Sequence, residues 1–183
     1  MSAMKTRFFT LLLTILVSQV SCSSDDNSGQ QEIIEDPVNA FVFDGILFDV
    51  QTVWIFDENT SNDEPSKIGI NLFNKTTAEI SSGEDLEDIT AIYFALTDDV
   101  LKAASYDTAA EYEFFVNGSV SEGSYDRGTL ILDYANDSKI ATEIQITITS
   151  FTSTEIALDF SFKRIDGKTI YGNYTGTYLD LNQ

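Results

Sequence analysis

The stretch TEIQITITSFTSTEIALDFSFKRIDGKTIYGNYTGTYLDL, residues 142–181, decides the fold. Ile144, Ile146 and Ile148 alternate with Glu143, Gln145, Thr147 and Thr149. Ile156, Leu158, Phe160 and Phe162 then alternate with Glu155, Asp159, Ser161 and Lys163. Successive side chains of a strand point to opposite faces, so a period of two marks an antiparallel strand with one buried face. Asp166-Gly167 is a turn pair, and it closes a hairpin into residues 168–181. On that last segment Gly172 and Gly176 share a face with Tyr174 and Tyr178, which predicts large rings lying over glycine backbone.

The same grammar runs backwards through the chain. Residues 128–134 read as a strand, and residues 112–116 as another ending at the turn pair Asn117-Gly118. Residues 89–96 form a continuous apolar run, as a well-buried strand does. Ile68, Ile70 and Leu72 alternate with Gly69 and Asn71. Phe41-Val42-Phe43 meets the turn pair Asp44-Gly45, after which residues 46–56 resume the apolar pattern. Residues 97–104 (TDDVLKAA) read as a short helix capped by Thr97 or Asp98. The expectation is an all-β domain over residues 38–183: a single antiparallel sandwich or barrel of about eight to ten strands, with one short helix.

Composition narrows the chemistry. The 183 residues are 43% apolar, enough for a sizeable core. Acids outnumber bases 30 to 10, a net charge of −20. Such a surface repels phosphate backbones, so nucleic acid is excluded as a partner, and it repels anionic headgroups as well. There is no histidine, which removes the commonest general base and transition-metal ligand. Neither a Ser-His-Asp nor a Cys-His arrangement can be built. With a single cysteine, no intramolecular disulfide forms.

That cysteine, Cys22, stands between an apolar run and a polar one. Lys5 and Arg7 precede ten apolar-rich residues, 8–17, too few for a spanning helix. The pattern is that of a signal peptide over residues 1–21, with Met4 as an alternative start. Ser18-Gln19-Val20-Ser21-Cys22 resembles the lipobox of bacterial lipoproteins, although Gln19 stands where that family prefers leucine. The resemblance implies a diacylglycerol on the Cys22 sulfur and cleavage before it. Ser23-Ser24-Asp25-Asp26 resembles the "CSSDD" openings of flavobacterial-type lipoproteins of Bacteroidota. There Ser24, Asp25 and Asp26 are implied as an export signal to the outer face of the outer membrane. Residues 22–37 then form a lipidated acidic tether. At ~0.8 kcal/mol per buried CH₂, two acyl chains hold firmly where one is marginal. The membrane is thus a partner through the lipid anchor. The ending DGKTIYGNYTGTYLDLN is similar to the final hairpin of small lipoproteins of that group, implying a β-rich domain and no particular activity. Asp107-Thr108-Ala109 resembles the O-glycosylation signal of Bacteroidota, with Thr108 as acceptor.

Three stretches carry residues suited to a site. Asp57, Asn59, Ser61 and Asp63 occupy alternate positions of an acidic loop, as calcium ligands do, but position six is Asn62 and position twelve Ile68, which favours a solvated loop. Glu84, Asp85, Glu87 and Asp88 form an acidic cluster without a visible cleft, where paired carboxylates would be needed for glycoside hydrolysis. Trp54, the only tryptophan, lies in Val53-Trp54-Ile55-Phe56, where a core position outweighs a sugar-stacking platform. Tyr171, facing opposite to Tyr174 and Tyr178, makes these three tyrosines the further platform candidates. No catalytic residue, metal ligand or cofactor is assigned. The expectation is a non-catalytic surface module for a glycan or peptide. The alternatives are a structural or adhesive envelope protein with a protein partner, and a carboxylate-based hydrolase.

Overall fold

A computed structural model of the chain describes residues 37–62 and 64–182. The expected signal peptide (1–21), Cys22, Ser24, Asp25 and Asp26 lie outside the described residues. The described chain is an all-β sandwich of two packed sheets with one short helix.

The strands are β1 (Ala40–Phe43), β2 (Ile46–Asp49), β3 (Thr52–Asp57), β4 (Ser66–Phe73), β5 (Leu86–Asp98), β6 (Ala104–Tyr106), β7 (Glu111–Ser121), β8 (Ser124–Asp126), β9 (Thr129–Asp133), β10 (Ala141–Phe151), β11 (Glu155–Arg164), β12 (Thr169–Thr177) and β13 (Leu179–Asp180). Only β6, β8 and β13 are shorter than four residues. The first sheet has the order β2-β1-β12-β11-β10-β6 and the second the order β13-β3-β4-β5-β7-β8, with β9 also on β7. All pairs are antiparallel except β13 with β3. The chain changes sheet five times, between β2 and β3, β5 and β6, β6 and β7, β9 and β10, and β12 and β13, so five connections join the two layers covalently.

Alternation decides what each layer buries. Ile146, Ile148, Ile156, Leu158, Phe160, Phe162, Ile170 and Phe41 turn inward from the first sheet. They meet Val53, Ile55, Ile68, Ile70, Leu72, Ile92, Phe94, Leu96 and Phe114 from the second. Aromatic rings dominate the middle. Phe114 takes Phe41 edge-on at 5.2 Å and 89°, and Phe94 lies 5.8 Å from both Phe160 and Phe162. Burying one such side chain contributes about 1.5–3 kcal/mol, with edge-to-face pairing adding about 0.5–1.5.

Asp44 and Gly45, at φ 54° and 77°, make the β1–β2 turn that the sequence predicts. Two other local expectations are corrected. Asn117-Gly118 is no hairpin turn: Asn117, at φ 56°, sits inside β7 where the pairing with β5 slips, and the reversal falls at Glu122-Gly123 (φ 51° and 75°). Residues 97–104 are no helix either. Thr97 and Asp98 end β5, and Lys102 bridges Asp98 and Asp99 (2.8 and 3.0 Å) across a turn leading into β6. Helical spacing of opposite charges serves a tight turn equally well. The helix is α1 (Thr77–Ile80), capped by Thr76, whose hydroxyl accepts from Glu79 N while the Glu79 carboxylate accepts from Thr76 N. This T-x-x-E capping box supplies two otherwise missing bonds to a four-residue helix.

Candidate functional site

The outer face of the second sheet carries a groove of about 450 Å³. Register builds it. Trp54 pairs with Asn71, Asn71 with Tyr93 and Tyr93 with Glu113, so these four side chains form one row across β3, β4, β5 and β7. The next row runs Thr52, Phe73, Ala91 and Phe115; the row on the other side runs Phe56, Gly69, Ala95 and Glu111. Small residues in the middle strand and rings at the sides leave a depression. Phe115, Tyr125 and Ile80 complete its walls. Beneath one end, Ile89, Ala91 and Phe115 form a small cluster separate from the main core.

The rings are held. Trp54 packs on Phe73 at 5.1 Å, and its indole N–H donates to Thr77 Oγ1 at 3.1 Å. Thr77 also shares a 2.8 Å hydrogen bond with the Thr52 hydroxyl. The helix α1 thus fixes the indole plane. Phe56 lies flat on Gly69, in space a Cβ would fill, and stacks on Tyr93 at 6.2 Å and 9°. The Tyr93 hydroxyl donates to Glu111 Oε2 at 3.2 Å. Burial, then the Glu111 carboxylate, raises the Tyr93 phenol well above its usual value.

Charges in the groove are paired. Arg127 Nη1 meets both Glu113 carboxylate oxygens at 2.8 Å. Lys67 donates to Glu111 Oε1 at 2.6 Å, and that bond holds the Glu111 carboxyl below its ordinary value. One polar group stands apart. The Asn71 side-chain amide, half-buried between Trp54 and Tyr93, makes no hydrogen bond among the described residues. The groove therefore offers flat apolar rings, one free donor-acceptor pair and no unpaired charge.

Trp54 corrects the sequence expectation of a core position. Val53 (0% exposed) and Ile55 take the core side of β3, and Trp54 and Phe56 take the other. Tyr174 is corrected the opposite way. It is 5% exposed and lies in the core, its ring over Gly176 and its hydroxyl donating to Thr177 O at 2.6 Å, so it offers no platform. Gly172 is crowded by Ala40 O and by Cα and Cβ of Phe41 on the neighbouring strand, a close approach of backbone where the sequence predicts a ring. Tyr171 is half-buried beside Ser161, on the face of β12 opposite to Tyr174. Tyr178 follows β12, stacks on Phe151 at 5.4 Å and donates to Thr152 O. The structure does not bring Trp54 together with the three tyrosines.

Thr108 is exposed in the connection between β6 and β7. Among the described residues of the 57–65 loop, Asp57 Oδ1 accepts from Asn59 N, Asn59 Oδ1 from Ser61 N and Asn62 Oδ1 from Glu64 N. Among the described residues no three Asp, Glu or Cys side chains gather as metal ligands. Asp85 of the acidic cluster accepts from Glu122 N at 2.9 Å and ties the β7–β8 turn.

Phe56, Asn71, Phe73, Tyr93 and Phe115 are groove residues that the sequence reading passed over. A signal for them exists. A strand apolar at every position, such as 53–56, has two apolar faces, and only one can face the sandwich core. Comparison of the chain with protein-family models, with curated proteins and with solved structures yields no match in any of the three.

Proposed function

We propose that the protein is a non-catalytic binding module held at the outer membrane by lipid on Cys22, displayed outward by Ser24, Asp25 and Asp26, with a glycan or peptide as ligand. The observation that carries the binding role is the groove. Six aromatic side chains, Trp54, Phe56, Phe73, Tyr93, Phe115 and Tyr125, gather on a sheet face turned away from the core. Ligand sites combine apolar walls with a few placed polar groups, and this face has that composition. Large apolar faces are rarely left on a soluble domain without a use. The acidic tether and the exposed Thr108 fit extracellular display, the latter as a glycosylation acceptor.

Trp54 is the only tryptophan, so its fluorescence reports on the groove alone. Titrating the purified chain with a panel of soluble oligosaccharides and peptides should change the Trp54 emission with a saturable isotherm. The same ligand should fail to bind Trp54→Ala by calorimetry. Saturable binding that survives Trp54→Ala would move the site elsewhere. Fatty-acid labelling that is equal in wild type and Cys22→Ser would remove the anchor.

A further inference from the structure

We infer that Asn71 sets the ligand class of the groove: its side-chain amide reads adjacent hydroxyls of an uncharged pyranose ring lying against Trp54 and Tyr93. The inference rests on the binding role proposed above and names the chemistry of that site.

The first ground is placement. Trp54, Asn71 and Tyr93 are direct cross-strand partners. Neighbouring strands run about 4.8 Å apart, so an aromatic side chain stands on each side of the amide at that spacing. A pyranose ring is of matching size. It has an apolar C–H face suited to an aromatic ring and a hydroxyl rim suited to an amide.

The second ground is hydrogen bonding. Every other polar group in the row is engaged: the Trp54 indole with Thr77, the Tyr93 phenol with Glu111, Glu113 with Arg127. Asn39, Asn59, Asn74 and Asn173 all use their side chains internally. Asn71 alone in the groove has both a donor and an acceptor available, and adjacent hydroxyls of a sugar supply one of each.

The third ground is exclusion of other ligands. Arg127, the cation that lines the groove, and Lys67 on the same sheet both pair with carboxylates, and the chain carries −20, so an acidic polymer meets repulsion and no free cation in the groove. A peptide added as a strand needs a sheet edge, but β4 and β5 are paired on both sides. A proline-rich peptide on an aromatic groove uses an indole N–H as donor to its carbonyls, and the Trp54 N–H is already given to Thr77.

Calorimetry on the purified chain decides this, with xylohexaose, mannohexaose, laminarihexaose and maltohexaose as neutral probes. Oligogalacturonate serves as the acidic probe and poly-L-proline as the peptide. Variants are Asn71→Ala, Asn71→Val and Trp54→Ala; Asn71→Val favours the strand and keeps the test open if Asn71→Ala misfolds. The expected result is that at least one neutral chain binds, and that all three variants weaken it about tenfold or more, the loss of two hydrogen bonds or of a stacked ring. Neutral chains bound equally by wild type and the Asn71 variants would overturn the inference while leaving the groove as the site. Trp54-dependent binding of oligogalacturonate or poly-L-proline alone would do the same. No Trp54-dependent binding of any probe would overturn both the inference and the groove's binding role.

Discussion

Replacing Gly172 with alanine tests how closely β1 and β12 approach. Gly172 pairs with Phe41 on one side and Phe160 on the other. A Cβ there would overlap Ala40 O and Phe41 Cβ and lie 2.6 Å from Phe41 Cα. Carbon atoms sit at about 3.5–4 Å when unstrained, so β1 must retreat by about 1 Å. Phe41 is 0% exposed and touches Phe48, Phe114 and Phe160, with ring centroids 5.2, 5.2 and 6.3 Å away. Gly172 is not at positive φ. Alanine is therefore conformationally acceptable and would stabilise by about 0.4–1 kcal/mol through the unfolded chain if the space were open. Overpacking costs about 1–3 kcal/mol, more where backbone must move, so a net loss of about 2 kcal/mol is expected. Gly176→Ala is the comparison: its Cβ would meet the Tyr174 hydroxyl at 2.8 Å, the far end of a side chain that can shift, so its loss should be under about 1 kcal/mol. Equilibrium urea unfolding of the three proteins measures the difference. A Gly172→Ala protein as stable as wild type, or more so, would refute the close approach and the ring packing built on it.

Three further outcomes are expected. Thr77→Val removes the acceptor of the Trp54 indole and the partner of Thr52, costing about 1 kcal/mol in a half-buried position, whereas Thr77→Ser retains both; thermal unfolding distinguishes them. Burial, reinforced by Asp98, pushes the Tyr106 phenol up to about 12. The folded state then keeps a proton that the unfolded chain releases near pH 10, so this contribution is full below pH 10 and declines as pH rises toward 12. Phenolate absorbance should show late titration whose amplitude falls by one tyrosine in Tyr106→Phe, while Tyr93 and Tyr125, raised by burial, still titrate late. Finally, millimolar calcium at matched ionic strength should leave the melting temperature where sodium chloride leaves it, since Asp57, Asn59 and Asn62 already accept from backbone N–H groups of the loop; a calcium-specific rise lost in Asp57→Ala would make it a metal site.

The sandwich was legible wherever one face of a strand was polar. The alternation of β10 and β11 specifies their inward residues without ambiguity, because a slip of one position would bury Glu143 or Asp159. It was illegible where both faces were apolar. In Val53-Trp54-Ile55-Phe56 composition gives no preference between sides, and only the pairing with Ile70 and Asn71 reveals which rings look outward. Tyr174 is a platform candidate in the sequence only because it lies on the strand face opposite Tyr171, and pattern alone does not say which face is the core; Gly176 makes room for its ring inside. The short helix was missed because its signal is a capping box and not an apolar period. Four residues are too few for a period.

The path by which the chain enters the domain has a mechanical consequence. Asn39 donates from its backbone to Asn173 and from its side chain to Thr175 O, and accepts from Thr175 N, while Asn173 also bonds Pro37 O. Tension on the chain ahead of Pro37 therefore meets this clasp first. Behind it stands β1, laced on both sides by β2 and β12, so the strand cannot peel away along one ladder while the other holds. The groove lies on the other layer, and its strands carry none of these first bonds. A load arriving through the chain ahead of Pro37 would be borne by the first sheet, and the rings of the groove would keep their spacing until that sheet gave way.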